Sequence, residues 1–438
     1  MFFSERRLSG QVSRLLVVGG LMLCAVGVLK YSSSECEFKD LGQDSTDKRS
    51  QYCKDQLYES IRLPRQGNVS CSQLVRGDPD AIRDALLSRL QRNANVVHLE
   101  EAHYLNMTKD CELFRSSRKY MEFPLSKEEE EFPIAYSIVL HDKVEMFERL
   151  LRAIYAPQNV YCVHVDAKSP QPLQEAVRRI VSCFGNVFLA SKQERVVYAS
   201  WNRVQADLNC MEDLLRSPVK WRYLLNTCGT DLPIKTNAEI VQSLKVLNGR
   251  NNMEAEKPSE YKAGRWKYHH EVTDSVVRTQ TEKSPPPQSS PMFTGNAYVV
   301  LSRGFVQHLF QDPMVKRFIE WSKDTYSPDE HIWATLHRMP GVPGGVPFNS
   351  KFDLTDMNAI ARLVKWSYTE GDVTKGAPYP PCTGVHRRAV CTYGAGDLHW
   401  MLNQHHLFAN KFDSQVDNSV IECLEEYLRY KSIHGRTL

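Results

Sequence analysis

The chain of 438 residues predicts an α/β fold: a mostly parallel central sheet, preceded by a membrane anchor and a stem. Three observations carry this. Between Phe132 and Asn226, short apolar runs alternate with amphipathic stretches of helical length, the pattern of a parallel sheet covered on both faces. An apolar run without charge, Leu15–Leu29, lies between Arg14 and Lys30. Cysteines and two N-x-S/T sequons then follow it. Apolar content of 42% and aromatic content of 10% are those of a globular protein, and a formal charge of +3 is too small to argue for nucleic acid.

Residues 1–14, with Arg6, Arg7 and Arg14, read as a cytoplasmic tail, and 15–30 as a signal-anchor helix. The apolar run is short against the usual span of about 20 residues, and snorkelling of Arg14 and Lys30 makes up the difference. A cleaved signal peptide is the alternative, but Lys30-Tyr31 stands where a small-x-small site belongs. A single-pass type II orientation leaves everything after Tyr31 lumenal. Of twelve cysteines, all but Cys24 lie there, so an odd one is free or paired between chains. No C-x-x-C occurs, which favours disulfides over zinc. The sequons at Asn68 and Asn106 fit the same compartment.

Residues 31–120 read as a partly folded stem with a short helix at Asp80–Arg92, and 121–438 as the main domain. Within it, strands are expected at Ile134–His141, Asn159–Asp166, Val187–Ala190, Trp221–Asn226 and Asn296–Ser302. Helices are expected at Val144–Tyr155, Gln171–Phe184, Ser200–Leu215 (Ser200 as cap) and near Asp417–Lys431. The region 251–295 reads as irregular. Ligands in such folds lie at the carboxyl ends of the strands, which draws attention to His141, Asp166 and Thr227–Asp231.

Ser327-Pro328-Asp329-Glu330-His331 has two readings. Ser327 and Glu330 can form a capping box around Pro328 in a first turn. Alternatively a carboxylate among Trp321, Tyr326 and Trp333 takes a proton from a sugar hydroxyl. Asp166 likewise either accepts from a nucleoside or caps its own turn. No D-x-D stands at a strand end; Asp78-Pro79-Asp80 lies before the first strand. A leaving diphosphate then needs fixed cations, for which Arg387, Arg388 and Lys411 are candidates. Gly394-Ala395-Gly396-Asp397 falls short of a dinucleotide fingerprint.

Taken together, Ile154-Tyr155-Ala156-Pro157-Gln158-Asn159, Val163-His164-Val165-Asp166, Asn226–Asp231, Ser327–Glu330, Gly394–Leu398 and His405–Asp413 resemble the animal β-1,6-N-acetylglucosaminyltransferases that branch O-glycans. The resemblance covers about residues 70–438, and its texture is nearest the mucin-type, core 2/core 4 branch of that family. It implies a GT-A fold and inverting transfer from UDP-GlcNAc to the 6-hydroxyl of GalNAc in O-glycans, with no divalent metal. It implies Glu330 as general base. UDP-sugar contacts fall on Val139, His141, Asp166, Tyr198, Arg388 and Lys411, and acceptor contacts on Glu254, Lys262, Arg265, Trp366 and Tyr368. Implied disulfides are Cys71–Cys423, Cys111–Cys183, Cys162–Cys210 and Cys382–Cys391, with Cys228 unpaired and Cys36 and Cys53 open. The implied partners are UDP-GlcNAc, mucin-type glycoproteins and the Golgi membrane; a homodimer is left open. Alternatives are a related transferase with another donor, such as a xylosyltransferase, and an anchored glycan-binding protein without turnover.

Overall fold

The computed structural model describes residues 48–66, 69–92, 98–348 and 358–437. The chain divides into two compact units, one ending at Ser60 and one starting at Ile61. The described part of the first belongs to the helix Lys48–Ile61, in which Cys53 is disulfide-bonded. The expected anchor at 15–30, Cys24, Cys36 and Asn68 lie outside the described residues. Among the described residues no helix is long and apolar enough to cross a membrane.

The strands of the second unit are β1 (Ile134–Leu140), β2 (Val160–Val165), β3 (Val187–Leu189), β4 (Tyr223–Cys228), β5 (Asp231–Pro233), β6 (Tyr268–Val272), β7 (Val276–Glu282), β8 (Val300–Ser302), β9 (Arg362–Val364), β10 (Val385–Arg387), β11 (Val390–Thr392) and β12 (Phe408–Asn410). The central sheet runs β3-β2-β1-β4-β8, with β8 antiparallel and the rest parallel. This is the mixed α/β, mostly parallel architecture that the alternation of runs predicts.

Every residue of β1 is buried, as expected for a strand covered on both faces. Ile134, Tyr136, Ile138 and Leu140 join one core, while Ala135 joins the other with Cys162 and Leu224. A register slip of one residue would exchange the two sets, so packing fixes the pairing. The helix Val144–Ile154 covers the first face with Phe147, Leu150, Leu151 and Ile154, at helical spacing. The helix Trp201–Arg216 covers the second with Val204, Leu208, Met211 and Leu214. Each such side chain, fully buried, contributes about 1.5–3 kcal/mol.

Four disulfides join pairs of described residues: Cys71–Cys423, Cys111–Cys183, Cys162–Cys210 and Cys382–Cys391. The first two tie residues read as stem to the sheet domain. The compact unit starts at Ile61, ahead of the boundary expected at 121, and includes the helices Cys71–Arg76, Pro79–Arg92, Glu101–Met107 and Cys111–Ser117. Buried charges add to this. Glu425, on the C-terminal helix Asn418–His434, accepts from Arg149 and Arg152 at 2.7 Å each, and Arg152 also binds Glu148, four residues before it.

Two further expectations change. The region 251–295 contains the antiparallel hairpin β6–β7, whose strands are largely exposed and so carry no apolar run to mark them. The strand expected at Asn296–Ser302 begins only at Val300, because the Asn226 side chain takes the backbone partners before it: Val299 N donates to its Oδ1 at 2.8 Å, and its Nδ2 donates to Ala297 O at 2.9 Å.

Candidate active site

The carboxyl ends of the parallel strands carry three of the residues that the resemblance assigns to a UDP-sugar, Val139, His141 and Asp166. Val139 lies near the end of β1, and its carbonyl accepts from Gly229 N at 3.2 Å. His141 is exposed just beyond. Asp166 follows β2 and is buried; its Oδ1 accepts from Lys168 N at 3.0 Å and Val196 N at 3.3 Å. It therefore does cap its own turn. Tyr198 is 68% exposed, in the loop before the helix Trp201–Arg216. Ser200 occupies the N-cap position of that helix but its hydroxyl makes no capping bond, so the expected cap acts through backbone alone.

The Ser327–His331 stretch is not a capping box. Ser327 adopts φ 49°, in the left-handed region, and makes no side-chain cap. Its hydroxyl lies 3.3 Å from Asp329 Oδ1 instead. Pro328–Glu330 form a single 3-10 turn, and the next helix starts at Ile332. Ser327 N donates to Ala199 O at 2.8 Å, which fixes this turn beside Tyr198. The Glu330 side chain does not return to the backbone; it pairs with Arg265. Burial and the adjacent Glu330 carboxylate push Asp329 up to about 6, against the opposing charge of Arg203.

Glu330 is 37% exposed and its Arg265 partner 17%, so the pair sits at a partly open surface. The Glu330 carbonyl accepts from Gly295 N at 2.8 Å. A Cβ at Gly295 would lie 2.1 Å from Glu254 O, so only glycine lets the Glu254 and Glu330 segments approach this closely. Lys262 is on the short helix Glu260–Ala263, and Arg265 is in the 3-10 turn that follows it. Tyr326 N donates to Arg265 O at 2.9 Å. Two of the expected acceptor contacts, Glu254 and Arg265, are thus gathered around Glu330. Trp366 and Tyr368 stack at 5.6 Å, and Tyr368 is 73% exposed. Ser367 N donates to Ala389 O at 2.8 Å, which ties that aromatic pair to the arginine turn.

Arg388 and Ala389 form the turn between β10 and β11, both with positive φ. The disulfide Cys382–Cys391 closes this loop. Asp397, buried, braces it by accepting from Gly394 N at 2.9 Å and Thr383 Oγ1 at 2.7 Å, so the Gly394–Asp397 motif is structural. The Arg388 guanidinium lies 4.7 Å over the Tyr198 ring. Lys411 follows β12 and its N donates to Cys391 O at 3.2 Å. Burial, then the positive charges of Arg362, Arg388 and Arg387, hold the Lys411 ammonium below its usual range. Four cations from three segments therefore share one region. Tyr198 feels both this region and Glu330: burial and the Glu330 carboxylate raise its phenol, while Arg388 opposes them.

Some of this is invisible in the sequence. Arg362 and Tyr298 are absent from the residues singled out above, and Asp231 appears there only within a motif. In the structure Arg362 Nε lies 3.2 Å from Asp231 Oδ1, and its Cζ lies 3.1 Å from the centre of the Tyr298 ring. Nothing in a three-residue strand separates such an arginine from a surface one. Among the described residues, Glu370, Cys382 and Cys391 place donor atoms within 4.8 Å of one another, but the two cysteines are disulfide-bonded and offer no thiolate. The second sequon residue, Asn106, is exposed on the helix Glu101–Met107.

The family model described as Core-2/I-Branching enzyme matches residues 134–402. A Bos taurus protein named beta-1,3-galactosyl-O-glycosyl-glycoprotein beta-1,6-N-acetylglucosaminyltransferase 3 is 60% identical over 425 residues, 97% of each chain. A Homo sapiens protein of the same name is 58% identical over 430 residues, 98% of each chain. A Bovine herpesvirus 4 protein named beta-1,3-galactosyl-O-glycosyl-glycoprotein beta-1,6-N-acetylglucosaminyltransferase is 60% identical over 425 residues, again 97% of each. With a fold, a partly open carboxylate and a cation cluster arranged around one face of a parallel sheet, this chain belongs to the Core-2/I-branching enzyme family.

Proposed function

We propose that this protein transfers N-acetylglucosamine from UDP-GlcNAc to the 6-hydroxyl of GalNAc in mucin-type O-glycans, forming a β-1,6 linkage with inversion. The observation that carries the reading is that Arg388 lies 4.7 Å over the exposed Tyr198 ring while the Ser327 N–Ala199 O hydrogen bond holds the Glu330 turn beside it, which brings a cation and a carboxylate to one place. The acceptor O6 attacks C1 of the donor, the C1–O bond to UDP breaks, and Glu330 takes the hydroxyl proton. The electron pair leaves on the diphosphate, whose growing charge Arg388 and Lys411 stabilise. A single displacement turns the α-linked donor into a β product. Asp231, the carboxylate nearest the end of β4, is already engaged by Arg362, Asn410 and Cys228, which supports fixed cations rather than a divalent metal in this role.

Arg265 holds Glu330 until the acceptor arrives, then both orient the hydroxyl. Trp366 and Tyr368 offer apolar surface to a sugar face, and Glu254 and Lys262 supply polar partners. A GT-A-type domain displayed in the Golgi lumen on an N-terminal signal anchor completes the reading. The test is a panel of UDP-sugars against core 1 and core 3 acceptors, with the product linkage determined. Transfer of GlcNAc to O6 is expected; transfer only of another sugar, such as xylose, or UDP-independent glycan binding without turnover, overturns it.

A further inference from the structure

We propose that Asp231 is a positioning residue for the donor site, and that Arg362, which it holds, is a further fixed cation beside Lys411. The proposal rests on the donor reading above. Asp231 is fully buried at the start of β5, and its single carboxylate gathers three segments. It accepts from Cys228 N at 2.8 Å, at the end of β4. It accepts from Asn410 Nδ2 at 2.8 Å, on β12, one residue before Lys411. It lies 3.2 Å from Arg362 Nε, on β9.

The strand order β5-β12-β9 places these residues together: Asn410 pairs with Asp231 on one side and Val364 on the other. A buried carboxylate with this set of donors is committed. Arg362 is less so. It is 6% exposed, its flat face is covered by Tyr298, and although its Nη2 reaches Cys228 Sγ at 3.8 Å, its Nε and Nη1 make no hydrogen bond, so Asp231 meets it through charge alone. A buried N–H of a guanidinium left unpartnered is costly unless a ligand anion completes it. The charged and titratable groups facing Lys411 are Cys228 from the end of β4, Arg362 from β9, and Arg387 and Arg388 from the β10–β11 hairpin. Asp413 on its own segment is taken by Lys143 and Arg387. Asp231 is thus the anion that compensates Arg362 within this group.

The alternative is an ion pair that only holds the fold. The two roles differ in the pH at which UDP binding fails. Without the Asp231 charge, Arg362 acts in full on Lys411, which then loses its proton at lower pH; without Arg362, Lys411 keeps it to higher pH. The experiment is calorimetric titration of the full-length chain with UDP across the alkaline range. Asp231→Asn is expected to move the midpoint of affinity loss down by about one pH unit. Arg362→Met is expected to move it up while weakening binding several-fold at neutral pH. The double variant, which leaves no buried charge alone, is expected to restore the midpoint with affinity still several-fold reduced. It decides the matter if Asp231→Asn does not fold. Wild-type midpoint and wild-type affinity in the double variant, with only thermal stability changed, overturn the proposal. Lys411→Ala run in parallel separates the two failures: if it too leaves UDP binding unchanged, the donor reading itself falls.

Discussion

Replacing Glu330 by glutamine tests the mechanism most directly. The substitution keeps the side-chain length and removes the basic oxygen. The backbone contacts of the turn do not depend on it: Glu330 N still donates to Ser327 O at 3.0 Å, and its carbonyl still accepts from Gly295 N at 2.8 Å. The amide oxygen can accept from Arg265, so the loss at that contact is one of charge. With the carboxylate 37% exposed, water screens the pair and the stability change stays below about 1 kcal/mol. Catalysis responds differently. General-base assistance is worth about 10²–10⁴ in rate, or about 3–5 kcal/mol of barrier. The expected outcome of Glu330→Gln is therefore a kcat lowered by about 10²–10⁴ with thermal stability and UDP affinity near wild type. Initial rates with radiolabelled UDP-GlcNAc, a melting curve and a UDP titration measure the three quantities. A kcat within tenfold of wild type refutes the assignment. A collapse of UDP affinity refutes the separation of base and diphosphate sites.

On the proposed donor site, Arg388→Ala and Lys411→Ala are each expected to lose a charge-assisted contact worth about 1.5–3 kcal/mol, or about 10–150-fold in kcat/KM for the donor; unchanged donor kinetics place the diphosphate elsewhere. Activity is expected to survive EDTA, and a loss of more than about tenfold, reversed by a divalent cation, contradicts the metal-free mechanism. Glu425→Gln leaves Arg149 and Arg152 short of a buried anion and is expected to destabilise the fold by about 3–5 kcal/mol, read by chemical denaturation. Against the cost of burial, those arginines hold the Glu425 carboxyl down at about 2. Because this folded value lies below the unfolded one of about 4.3, the carboxylate stabilises the fold above that pH and loses its contribution as pH falls toward about 2. Acid unfolding of wild type in that window, lessened in the Glu425→Gln variant, checks the sign.

The sequence by itself determined the α/β class, because the strands β1, β2 and β4 are buried on both faces and must be written as apolar runs. It determined the family through motifs, of which Val163–Asp166 and Asn226–Asp231 lie at the carboxyl ends of those strands. It offered Arg387, Arg388 and Lys411 through the missing D-x-D and a carboxylate at Ser327–His331 through its aromatic neighbours, but only the resemblance singled out Glu330, Arg388 and Lys411, since the local pattern at Ser327–Glu330 favoured a capping box that the left-handed Ser327 does not form. The exposed hairpin β6–β7 escaped it because neither of its faces is buried in a core. Only the tertiary structure decided what surrounds the candidates. The pairing of Glu330 with Arg265, the stacking of Arg388 on Tyr198, and the union of Asp231, Asn410 and Arg362 all join residues far apart along the chain. Charge–charge contacts of this kind carry no periodicity. They exist because the sheets bring their strands together, and a carboxylate buried there must find its cations.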